Sequence, residues 1–82
     1  MKKAYFVFII KGIVRIRSQE VRDDMDFKRV NVFATMSEAK NGAIGEMNRV
    51  IDFLKKAKGI VNNWPDDIEP GEELVCDMEK RK

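Results

Sequence analysis

The sequence contains no histidine and a single cysteine, Cys76, in its 82 residues. Without histidine, a Ser-His-Asp triad, a Cys-His dyad and a histidine-based metal site are all excluded. One cysteine can form no intramolecular disulfide and cannot supply the paired ligands of a zinc ribbon. Long apolar runs are also missing: none approaches the ~18–20 residues of a membrane span. The run Ala4–Ile10 follows Lys2 and Lys3 and imitates a secretory signal. Lys11 cuts it short, Arg15 and Arg17 follow, and no small-residue cleavage site appears. It reads as a buried strand of a cytoplasmic protein with no membrane attachment.

Charge of one sign is lacking too. Sixteen basic and fourteen acidic residues leave a net +2, too weak to mark a nucleic-acid or membrane binder without a local patch. Charged residues nonetheless make up 37% of the chain against 44% hydrophobic, so the surface outside the core is densely charged. A chain of this length holds one domain and one core. It buries only about 60–65% of the surface that the unfolded chain exposes, and an oligomer would help by covering more.

Tyr5–Ile10 is aromatic and β-branched, the composition of a strand. Its two faces, Tyr5, Val7 and Ile9 against Phe6, Phe8 and Ile10, are both apolar, which places it centrally in a sheet. Lys11-Gly12 offers either a hairpin turn or a bulge. Val14–Arg17 alternates, with the arginines opposite Val14 and Ile16. After an acidic turn at Asp23, Asp24 and Asp26, alternation resumes over Arg29–Thr35, a third strand.

Thr35-Met36-Ser37-Glu38 fits a capping box. Ala39, Ala43, Met47, Val50, Ile51 and Leu54 then mark one face of a helix over roughly 36–58. Gly59 reads as its C-terminal residue. Residues 62–71, which hold both prolines, form an irregular connection. Glu73–Glu79 is a last strand, with Leu74, Cys76 and Met78 on one side. The expected fold is one α+β domain over 1–82, in β-β-β-α-β order. A small antiparallel sheet of three to four strands carries one long helix on one face, and 79–82 form a frayed tail.

No catalytic, cofactor-binding or metal-binding residues emerge. The aspartates near Asp24 fail as an EF-hand loop, because Lys28 takes the fifth position and the turn glycine is missing. Asp66, Asp67, Glu69, Glu72 and Glu73 read as solvated loop charge. Gly42-Ala43-Ile44-Gly45 spells G-x-x-G inside the helix. It reads as small residues that let the helix approach the sheet, not as a clamp on nucleic acid. Cys76 reads as a buried, inert thiol.

The informative constellation is the sheet face away from the helix. If Val14, Ile16, Val30 and Val32 face the helix, then Arg15, Arg17, Arg29, Asn31 and Phe33 face away, joined by one side of the first strand. The candidate face is therefore Tyr5, Arg15, Arg17, Arg29, Asn31 and Phe33. Arginine mixed with aromatic residues suits protein interfaces. The expected function is a small non-enzymatic binding module, a regulator, adaptor or inhibitor, acting through protein contacts and homodimeric. Its size would fit a phage or mobile-element protein. The alternative is a nucleic-acid binder that sets these arginines on phosphates. Either a second molecule or the segment around Trp64 and Ile68 would cover the face, and the acidity of that segment favours the second molecule.

Overall fold

The computed structural model describes residues 1–10, 12–27, 31–49 and 55–77. Strands β1 (Lys2–Ile10) and β2 (Ile13–Val21) form a long antiparallel hairpin, paired from Lys2 with Val21 to Ile10 with Ile13. Gly12 has φ 84°, a backbone state that glycine adopts without a side-chain clash. The glycine therefore closes a tight hairpin and does not mark a bulge. Strand β3 (Val32–Phe33) pairs with the outer side of β1, and β4 (Glu73–Asp77) with the outer side of β2. The sheet order is β3-β1-β2-β4, with every pair antiparallel. The two strands richest in apolar residues thus hold the centre, where both sides of the backbone are paired.

Among the described residues, two helices lie against one face of this sheet. Helix α1 (Met36–Arg49) starts where the capping box puts it. The Glu38 backbone N–H donates to Thr35 Oγ1 at 3.1 Å, and the threonine hydroxyl donates to Glu38 Oε1 at 2.9 Å. Helix α2 (Lys55–Asn62) runs straight through Gly59. The single helix expected over 36–58 is therefore corrected: a second helix continues one turn past the expected end. Val50, Ile51 and Leu54 lie outside the described residues. The physical reason is spacing. Ala57 and Val61 are four apart, and both are fully buried, so the apolar stripe extends beyond the glycine.

A Cβ added at Gly59 meets nothing within 4 Å, and the residue is helical. Gly59→Ala is expected to stabilise the protein by about 0.5–1 kcal/mol, through helix propensity and a less flexible unfolded chain. A lower denaturant midpoint for the variant would put Gly59 back at a helix end in a left-handed conformation.

The core lies between the helices and one face of the sheet. Tyr5, Val7, Val14, Ile16 and Cys76 come from the strands. Met36, Ala39, Ala43 and Met47 come from α1, and Ala57 and Val61 from α2. Ile68 is buried in the same cluster, and Trp64 packs against it. The connection after α2 therefore closes the helix side and does not wrap beneath the sheet. Alternation on β4 falls as expected, with Leu74 and Cys76 turned to the helices.

Candidate functional site

The residues of β2 that oppose the core ones are Ile13, Arg15 and Arg17. Register fixes their neighbours. Ile10 pairs with Ile13, Phe8 with Arg15 and Phe6 with Arg17 on one side. Asp77, Val75 and Glu73 pair with the same three on the other. Directly paired residues share a face, so these positions form three short rows across the sheet, on the side away from both helices.

One half of this face is covered by the chain itself. Strands β2 and β3 flank β1, and after β2 the chain runs past the Met1–Lys2 end of β1, where Asp23 pairs with the N-terminal amine at 3.5 Å. Lys2 donates to the Met25 carbonyl at 3.0 Å, and its Nζ sits 4.5 Å from the Phe27 ring centre. At this end of the sheet Ala4 and Val32 are buried. The half nearest the hairpin turn stays open. There Phe8 is 39%, Val75 48% and Ile10 65% exposed. Phe8, Ile10, Ile13, Arg15, Arg17 and Glu73 line a shallow groove of about 350 Å³.

The structure divides the six residues proposed from the sequence. Arg15 and Arg17 lie on the open face. Tyr5 and Phe33 are register partners on the helix side, where Tyr5 is buried and the Phe33 ring lies beside Gly42 of α1. Asn31 accepts from the Val7 N–H at 2.9 Å and lines a helix-side groove with Val7, Ile9, Phe33, Gly42 and Glu46. Arg29 lies outside the described residues. The difference arises at β3. A shift of one residue reverses the face of every side chain in a strand, and here Phe33, not Val32, points at the helices. Phe8, Ile10, Ile13, Val75 and Glu73 were missing from the sequence-based set. The two-residue hairpin could have found the first three: Ile10 against Ile13 puts Phe8 against Arg15.

A second polar cluster sits at the opposite end of the sheet, on the helix side. The Tyr5 hydroxyl donates to the Asp67 carboxylate. Lys3 forms an ion pair with Asp67 at 2.9 Å and donates to the Ile68 carbonyl at 2.9 Å. The Ile68 N–H also donates to Asp67 Oδ1 at 2.9 Å. Donation from Tyr5, then from Lys3, holds the Asp67 carboxyl below the usual carboxylate range. Burial, then the bond to Asp67, pushes the Tyr5 phenol up. The bond to Asp67 likewise raises the Lys3 ammonium. Each group is engaged by the others, and their work is to pin the Asp67–Ile68 loop onto β1.

A lowered carboxyl pKa stabilises the fold above the unfolded-state value, and the gain is lost as pH falls through the folded-state value. Asp67→Asn is therefore expected to lower the melting temperature at neutral pH. The gap to the unmodified protein should begin to narrow as pH falls below about 4, the ordinary aspartate pKa, and should close only below the lower folded-state value. Parallel melting curves across the acid range, with a constant gap, would contradict this role.

The remaining acids do not assemble a site. Arg22 pairs with Asp24 at 3.2 Å, and the Glu72 carboxylate accepts from the Glu69 N–H at 2.7 Å within a turn. Among the described residues, no group of three or more histidine, cysteine, aspartate or glutamate side chains could hold a metal ion. Cys76 is buried among apolar side chains. The Ser18 hydroxyl is buried with no hydrogen-bond partner among the described residues, on the helix side and not in the open groove. No described helix is long and apolar enough to cross a membrane. A scan against protein-family models, a search of curated proteins and a search of solved structures each return no match.

Proposed function

We propose that this chain is a small non-enzymatic binding module, cytoplasmic in setting, that acts through protein–protein contact on the open half of its sheet. Its role is that of a regulator, adaptor or inhibitor. One observation carries the reading: Phe8, Ile10 and Val75 stand exposed together on a sheet face whose other half the chain covers itself. Full burial of such a side chain is worth about 1.5–3 kcal/mol relative to exposure. Two arginines and a phenylalanine beside an apolar strip are the residue types that anchor protein interfaces.

Nucleic acid is the second reading, favoured by Arg15 and Arg17 next to Phe8, which could hold phosphates and stack a base. Glu73 and Asp77 on the same face oppose it by repelling phosphate. A photo-crosslinking residue at position 10, compared with one at exposed Asn41 of α1, separates the readings inside cells. The expected result is a protein adduct from position 10 and none from position 41. Adducts to nucleic acid alone, or equal labelling from both positions, would overturn the proposal.

A further inference from the structure

We infer that the occupant of the open face is a second copy of this chain, packed sheet against sheet about a two-fold axis. The inference rests on the reading above, that this face is a protein interface, and names the partner. Charge carries it. Arg15 and Arg17 on β2 stand beside Val75 and Glu73 on β4, so opposite signs share one small apolar patch. Arg17 and Glu73 are register partners, yet no ion pair joins them. A polyanion would meet Glu73, and an acidic or basic protein surface would satisfy only one of the two signs. A copy related by a two-fold axis brings Glu73 of each chain to Arg17 of the other.

The strand order says how the copies fit. A two-fold axis running along the strands reverses that order, lays β1 of each copy across β4 of the other and sets β2 against β2. The arginines of the two copies therefore face each other on the axis and splay sideways. Each Phe8 then meets the opposing Val75, each Arg17 comes within side-chain reach of the opposing Glu73, and Arg15 lies beside the opposing Phe8 ring. Guanidinium groups stack favourably on aromatic faces. Pairing through the β4 edge is the weaker geometry. Antiparallel self-pairing centred on Val75 sets Glu73 against Asp77 at both ends, and directly opposed like charges destabilise a sheet.

The test is sedimentation equilibrium on the full chain from micromolar to millimolar concentration. The unmodified chain is expected to show a reversible monomer–dimer equilibrium. Val75→Glu and Ile10→Glu should each weaken it by about tenfold or more in Kd, at exposed sites where the melting temperature barely moves. Arg17→Glu alone and Glu73→Arg alone should be monomeric, and an equimolar mixture of the two should restore a heterodimer. A chain that stays monomeric to millimolar concentration would overturn the inference. So would a dimer indifferent to Val75→Glu and Ile10→Glu, or a charge-reversed mixture that stays monomeric. A monomeric chain that still forms an adduct from position 10 with a different polypeptide would leave the binding-module reading standing and remove only the self-association. A monomer that shifts labelled DNA or RNA in a salt-dependent way would instead bring in nucleic acid.

Discussion

Ile16→Ala is expected to lower the unfolding free energy by about 2–5 kcal/mol, while Ile10→Ala in the same hairpin costs less than about 1 kcal/mol. The two changes remove the same atoms, so the difference reports position alone. Ile16 is fully buried, paired with Val7 on one side and Leu74 on the other, beneath the helices. Its truncation loses transfer free energy and leaves a cavity in a packed core. Ile10 is 65% exposed on the opposite face, and water can fill what its truncation leaves. Denaturant midpoints should be read at a concentration where the chain is monomeric, so that lost association does not add to the Ile10 value. Equal costs for the two variants would mean that the open face is covered in the isolated chain, and would remove the basis for an interface there.

Gly42→Ala gives the second large effect, and its sign opposes helix propensity. Alanine gains about 1 kcal/mol over glycine in a helix interior. At Gly42, however, an added Cβ would lie 2.4 Å from Cζ of the Phe33 ring, closer than any stable contact. The ring must then leave its place between β3 and α1, or the helix must lift. Such overpacking typically costs about 1–3 kcal/mol, so Gly42→Ala is expected to destabilise the protein. Gly45→Ala is the control, because nothing lies within 4 Å of its added Cβ. It should stabilise by about 0.5–1 kcal/mol. If both variants stabilised the protein alike, Phe33 would not be held on the helix side, and the face assigned to β3 would lose its support.

The contrast between these glycines marks what the sequence carries and what it withholds. Local chemistry was legible where a few adjacent residues decide the outcome. The Thr35 cap, the start of α1 and the alternation of β4 each depend on a short stretch. The helix continuing past Gly59 was harder to read, because Ala57 and Val61 are small and weigh little in a hydrophobic pattern. The face of β3 could not be read from alternation. Arg29–Thr35 places Phe33 on one side and Val30, Val32 and Ala34 on the other, so both sides offer something to bury. Its pairing with Tyr5 and Phe6 settles the matter, and that contact spans many residues of chain. The ion pair between Lys3 and Asp67 is likewise long-range. Seen alone, Asp67 looks like one more solvated acid in an acidic loop. The contacts of Lys2 with Met25 and Phe27 at its end of the sheet are also long-range, and no local pattern encodes them.

A dilution series followed by methyl NMR tests the interface most directly, because it reports on each face separately. The account predicts that the methyl signals of Ile10, Ile13 and Val75 shift together with concentration, while those of Ile16, Val61 and Ile68 stay fixed. Signals that do not change at any concentration, or shifts confined to the helix side, would contradict it.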